Sequence, residues 1–183
     1  MTAFARLVYF TEARMHGFDV VVGMGANLGD RLQTLRNARI AIASILGVRL
    51  MAHSFIYESP ALTLPDAEPG PDFLNGAIRV QYASSLESLL DALLEIERSF
   101  GRVRDSKWGA RTLDLDVLHV EGVVVEHERL RAPHPHLRER DFALMPLLDV
   151  FPGAIDPRTG RTYEWAEGGA PQGSSALRLA ATF

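Results

Sequence analysis

The chain has 183 residues, a formal net charge of −4 and no cysteine. No disulfide framework and no thiolate metal site can be built, and a global basic footprint for nucleic acid is lacking. Apolar residues at 47% and charged residues at 23% fit one soluble domain with its own core. No apolar run approaches a membrane span. The expectation is a cytoplasmic protein acting on small molecules, with neither nucleic acid nor membrane as partner, and monomeric.

In chain order, residues 1–17 lack the long apolar segment of a signal peptide, since Arg6, Glu12 and Arg14 interrupt them. Residues 1–18 are expected to be an extension outside the catalytic core, and 19–183 one catalytic domain. Residues 19–24 hold three successive valines and read as a buried strand. The Gly23–Asp30 stretch that follows is neither a Walker loop nor a dinucleotide fingerprint, and reads as a tight strand-to-helix turn. Leu28, Leu32, Leu35, Ala38, Ile42 and Ile45 or Leu46 recur at helical spacing over residues 30–46, with Gly47 as the stop. Residues 48–57 read as a second strand. Residues 58–71 contain four prolines and form a loop long enough to be a lid or binding loop. Residues 72–82 make a third strand. Ser84 and Glu87 have capping-box spacing, opening a helix to Phe100 whose buried stripe is Leu86, Leu89, Leu90, Leu93, Ile96 and Phe100. Residues 113–120 and 123–126 read as strands joined by a Glu121-Gly122 turn. Residues 131–135 are extended by their prolines, 138–150 helical, and 157–183 without pattern. The order β-α-β-β-α-β predicts a ferredoxin-like α+β plait, helices packed on an antiparallel sheet.

The chemistry gathers between Gly101 and Asp116. Four cations, Arg102, Arg104, Lys107 and Arg111, lie on a loop with two glycines and Trp108. In the strand that follows, Leu113, Leu115 and Val117 face one side and Asp114 and Asp116 the other. Two strand steps separate these carboxylates by roughly 6–7 Å at Cα. Unaided, so close a pair repels. Hard oxygen ligands suit Mg²⁺, which fills its shell with water and substrate phosphates, and neighbouring guanidinium forks suit the same phosphates. A solvated acidic strand face paired with loop arginines is the plainer alternative. On the residues alone, a Mg²⁺-nucleotide transferase attacking any of the phosphorus atoms, and a non-catalytic anion-binding module, both stay open.

Gly101-Arg102-Val103-Arg104, Trp108-Gly109, Arg111 and Asp114-Leu115-Asp116 together resemble the signature of the 6-hydroxymethyl-7,8-dihydropterin pyrophosphokinases. Pro133-His134-Pro135 with Arg140, Phe142, Leu144, Pro146 and Leu147 resembles that family's second signature. Ala110 departs from it, standing where the family usually has proline. The resemblance covers about residues 20–148. It implies diphosphate transfer from ATP to the pterin alcohol in folate synthesis, with two Mg²⁺ on Asp114 and Asp116. Those aspartates with Arg102 and Arg111 would form the catalytic set. ATP would be held by Glu97, Arg102, Arg104, Trp108, Arg111, His134 and Arg140, with Glu97 also placed to hold a loop arginine. The pterin would meet Ser59, Pro60, Phe73, Asn75, Asp114 and Phe142, with the two phenylalanines on opposite ring faces and Asn75 on the ring edge. The Gly25–Leu28 region would border the pterin pocket, and Arg104, Lys107 and Trp108 would close over the site.

Overall fold

Three valines in succession put apolar side chains on both faces of one strand, so that strand needs cover on both sides. The computed structural model, which describes residues 17–61, 70–101, 112–165 and 176–183, supplies it. The valines lie in β1 (Phe18–Ala26), between β4 (Phe73–Tyr82) and β5 (Asp114–Val120), antiparallel to both. The sheet runs β5-β1-β4-β3-β8, with β3 (Phe55–Ser59) on β4 and β8 (Leu177–Thr182) on β3. A sixth strand, β2 (Val48–His53), pairs with the other half of β4. On one face lie α1 (Arg31–Ala43) and α2 (Leu86–Ser99), whose Leu35, Ala38, Ile42, Leu89 and Leu93 are buried against Val20, Val22, Ile78, Val80, Leu115 and Val117. Each of these leucine, isoleucine and valine side chains contributes roughly 1.5–3 kcal/mol by leaving water. On the other face, α3 (Asp141–Val150) and residues near Ala154 and Tyr163 cover Val21, Ala77 and Leu118. The expected α+β plait is present.

Several boundaries differ from the sequence expectation, each for a local reason. The strand expected over 48–57 breaks at Ser54. There the Ser54 N–H donates to the Ala77 carbonyl at 2.9 Å, and the Ser54 hydroxyl accepts the Ala77 N–H at 2.9 Å. A side chain thus replaces one rung of the ladder. α1 starts on an Asp30 cap, whose Oδ1 accepts the Gln33 N–H, and ends at Ala43; Leu46 is therefore 94% exposed and outside the stripe, as is Leu28. α2 is capped by Ser85, one residue beyond the expected Ser84, through the Ser88 N–H. Glu121-Gly122 does turn, with Gly122 at φ 64°, but β6 (Val125–Glu126) pairs with β7 (Arg131–Ala132) and not with β5. The last expected helix is a 3₁₀ turn at Leu137–Glu139 followed by α3. β8 lies in a region expected to be patternless. β1 begins at Phe18, one residue before the expected start of the domain, and residues 1–16 lie outside the described set. Among the described residues no helix is long and apolar enough to cross a membrane.

The chain end is packed in. A Cβ on Gly76 would stand 2.3 Å from the Phe183 ring, which also meets His53 edge-on. Gly76→Ala should therefore displace Phe183 and cost about 1–3 kcal/mol as overpacking. In a Phe183→Ala background the same change should cost almost nothing, a coupling that urea unfolding of the four chains would read. Full additivity would mean that Phe183 does not occupy this place.

Candidate active site

The second face of the sheet is only partly covered by α3, and the strand register decides what the rest of it presents. Asp114 lies opposite Gly25, Gly25 opposite Asn75, and Asn75 opposite Tyr57. One step along, Asp116 lies opposite Gly23. Side chains of paired residues share a face, so the two carboxylates look across glycines and not across bulk. A Cβ on Gly25 would meet Asn75 Oδ1 at 3.3 Å, Phe73 Cδ1 at 3.7 Å and Asp114 Cβ at 4.0 Å. The absent side chain of Gly25 is thus the floor of a space walled by an amide, an aromatic ring and a carboxylate. Asn75 is a buried residue of β4, its Nδ2 donating to Ser59 Oγ at 3.0 Å. That bond orients the amide and brings Ser59 to the same wall. Pro60 is exposed just beyond it.

The carboxylates are positioned from behind. Glu97, on the last turn of α2, is 1% exposed, and its Oε1 accepts the Leu115 N–H at 2.8 Å. Leu115 is the residue between Asp114 and Asp116, so this charge-assisted bond fixes the backbone that carries both. Glu97 is thus a buried acceptor. Arg102, Arg104, Lys107, Trp108 and Arg111, and with them the loop arginine Glu97 was expected to hold, lie outside the described residues. So do residues 62–69, the middle of the proline-rich loop. Its ends are fixed: Arg31 pairs with Glu58 at 3.0 Å and donates to the Asp72 carbonyl at 2.7 Å, and Asn27 donates to the Pro71 carbonyl at 3.2 Å.

From the far side come His134, Arg140 and Phe142. The His134 N–H donates to the Leu118 carbonyl at 2.8 Å, which sets His134 against β5. His134 is half-buried, and burial, with help from Arg140 and His136 and against the pull of Asp114, lowers its pKa from 6.5 to about 4. Its electrostatic partners thus include both a site carboxylate and a site arginine. The His136 N–H donates to His134 Nδ1 at 3.2 Å, which leaves the ring proton on Nε2. The Arg140 guanidinium carbon is 5.8 Å from the Phe142 ring centre. Phe142 is half-buried beside Val21, Ala77 and Leu118, on the same side of the sheet as Phe73 and Asn75.

Among the described residues no group of three or more His, Asp, Glu or Cys side chains could enclose a metal ion. Two hard carboxylates facing glycines instead suit a cation that completes its shell with water and phosphate oxygens, as Mg²⁺ does. The sequence reading missed Arg31, which ties both ends of the proline-rich loop. It also missed Asp141 and Asp149, whose partners lie 35 and more than 90 residues away in sequence.

Comparison with known proteins gives one consistent result. The family described as 7,8-dihydro-6-hydroxymethylpterin-pyrophosphokinase (HPPK) matches residues 21–152. A Synechocystis protein named 2-amino-4-hydroxy-6-hydroxymethyldihydropteridine pyrophosphokinase is 40% identical over 147 residues, 80% of this chain and 72% of that protein. A Methylorubrum extorquens protein of the same name is 38% identical over 135 residues, 73% of this chain and 83% of that protein. A Plasmodium falciparum HPPK-DHPS crystal structure superposes with a TM-score of 0.60 at 11% identity, over 86% of this chain and 45% of that one. That last likeness concerns fold alone.

The His134 shift has a measurable consequence. Its folded pKa of about 4 lies below its ordinary 6.5, so the unfolded chain binds the proton first. Stability from this residue is complete above the unfolded value and is lost as pH falls from there through the folded one. His134→Asn should flatten the fall in urea midpoint across that window. Identical acid limbs for the two chains would place the acid sensitivity elsewhere.

Proposed function

The chain belongs to the 7,8-dihydro-6-hydroxymethylpterin-pyrophosphokinase family, and on that footing we propose that it transfers a diphosphate from ATP to 6-hydroxymethyl-7,8-dihydropterin, giving AMP and the pterin diphosphate of folate synthesis. One observation carries the reading: Asp114 and Asn75 stand on either side of Gly25, in one row across three strands. Two strand spacings put their Cα atoms roughly 10 Å apart. A flat bicyclic ring fits over the glycine, with its polar edge toward the amide and its alcohol arm toward the carboxylates.

In this arrangement Asn75, held by Ser59, hydrogen-bonds the pterin edge. Phe73 and Phe142 take the two ring faces, each stack adding about 0.5–1.5 kcal/mol beyond burial. His134 offers its Nε2–H to a phosphate oxygen, and Arg140 offers a guanidinium fork. Arg102, Arg104, Trp108 and Arg111 are assigned to ATP by motif, with Arg102 and Arg111 in the catalytic set. Glu97 serves by holding the strand under the carboxylates. Asp114 and Asp116 are the residues that would hold Mg²⁺. When bound, the metal neutralises phosphate charge and makes the alcohol easier to deprotonate. The hydroxymethyl oxygen attacks the β-phosphorus, the bond to the α–β bridging oxygen breaks, and AMP takes the electron pair. Asp114 is the carboxylate on the Asn75 side and accepts the hydroxyl proton. Most of the acceleration comes from positioning and charge neutralisation, as in phosphoryl transfer generally.

The test is product analysis by ³¹P NMR with ATP, Mg²⁺ and the pterin alcohol. AMP with a pterin diphosphate is expected; ADP would mean attack at the γ-phosphorus, and tight ATP binding without turnover would mean a binding module. Asp114→Asn and Asp116→Asn should each lower turnover on the order of 100-fold or more. Their melting temperatures without ligand should stay level or rise, because a repulsion is relieved. The two losses should be less than additive if both oxygens serve one cluster. Near-normal turnover in both variants would remove the metal site from the mechanism.

A further inference from the structure

The Phe142 side chain packs on the Val21–Ala77–Leu118 cluster, but the turn that carries it has a weak start. It is the second residue of a ten-residue helix whose N-cap, Arg140, makes no side-chain capping bond. Pro146, inside the same helix, has no N–H to give to the Phe142 carbonyl four residues back. Besides the Ala143 and Leu144 N–H bonds to the Arg140 carbonyl, the first turn is held by Asp141, which is 2% exposed. Asp141 Oδ1 accepts the Phe142 N–H at 2.7 Å, and its Oδ2 accepts the Ala176 N–H at 2.7 Å. Short bonds to a buried carboxylate are strong and directional.

Ala176 stands immediately before β8, and β8 is itself tied down. It pairs with β3 from Phe55↔Thr182 to Glu58↔Leu177, the Arg178 guanidinium lies 3.5 Å over the Phe55 ring, and Phe183 sits on Gly76. The same edge fixes the other end of α3. Asp149 Oδ2 accepts the Phe55 N–H at 3.1 Å and the Tyr57 hydroxyl at 2.9 Å. Burial and this bond push the Tyr57 phenol up, so it remains a donor. α3 thus hangs by two carboxylates from the β3–β8 edge, and the carboxylate at the site end lies between Arg140 and Phe142.

We propose that Asp141 is a positioning residue for the pterin, acting through Phe142, and that the C-terminal strand belongs to the active-site scaffold by way of the Ala176 N–H. The inference rests on Phe142 being a stacking residue. A carboxylate that served only the helix would stabilise the fold without regard to ligand. One that aims Phe142 affects pterin far more than ATP, and only while the phenyl ring is there.

The experiment uses the full chain. Pterin and ATP affinities, turnover and melting temperature are measured for Phe142→Ala, Asp141→Asn and Ala176→Pro, and for each of the last two combined with Phe142→Ala. Ala176→Pro removes one donor and leaves Asp141 intact, so it covers the case in which Asp141→Asn does not fold. Asp141→Asn and Ala176→Pro should each weaken pterin binding about tenfold, the scale of one charge-assisted hydrogen bond, and leave ATP binding nearly unchanged. In the Phe142→Ala background neither should have a further effect on pterin. Full additivity there, or a lowered melting temperature with unchanged pterin affinity, would make Asp141 a structural residue and overturn the inference. If Phe142→Ala alone leaves pterin affinity unchanged, the stacking reading fails first and the inference falls with it, a result distinct from failure of Asp141 alone.

Discussion

Everything at the site depends on a missing side chain. β1 runs through the centre of the sheet and is covered on both faces as far as Val22, but its second face ends in Gly23 and Gly25. Because paired residues share a face, those two positions decide what Asp114, Asp116 and Asn75 see. A Cβ at position 25 would fill the gap between amide, ring and carboxylate; at 23 it would stand 2.9 Å from Leu118. The glycines weaken a strand in isolation. β4 and β5 on either side, with a buried row from α1 and α2 beneath, supply the cohesion that the glycines withhold.

The two faces divide the work. The α1–α2 face is apolar but for Glu97, and is built on residues that alternate strictly along β1 and β4. The α3 face mixes apolar cover with buried acceptors, and each acceptor has a mechanical role. Ser59 orients Asn75, while from the α1–α2 face Glu97 ties α2 to the backbone between the two carboxylates. Asp149 and Asp141 fix the two ends of α3 to the β3–β8 edge. A buried polar group without a partner is expensive, so each of these bonds restricts the alternatives as well as adding stability. The groups proposed to meet substrate are thereby held by buried residues that are assigned no contact with it.

How much of this was legible follows from the range over which each signal acts. Alternation acts over two residues, so the opposed faces of Leu113–Asp116 could be read directly. Helical spacing acts over a turn, and α1 and α2 were found with errors only at their ends, where Ser85 and Ala43 took the place of neighbours. The signature residues identified the family and with it the fold. Unread were features that need a second segment to exist. The break at Ser54 depends on Ala77, the place of β8 on β3, and the role of Asp141 on Ala176. β8 itself offers only Leu177-Arg178-Leu179 before two alanines and a threonine, too short an alternation for an edge strand to announce itself. β6 was assigned to the wrong partner because a turn after a strand looks alike whether the chain returns on that strand or on a later one.

His134 and Arg140 set the electrostatics on the far side of the site. His134 is neutral at neutral pH, so it brings direction and not charge: one Nε2–H, with the tautomer fixed by the His136 N–H. On the proposed reading, charge compensation for a triphosphate falls to Arg140, to the cationic residues that the sequence carries between Gly101 and Thr112, and to metal on the aspartates. The same burial that keeps His134 neutral keeps repulsion low between it and Arg140 before substrate arrives. A polyanion beside the imidazole favours its protonated form and works against that burial. Before any anion enters, neutral His134 thus adds no cation to Arg140.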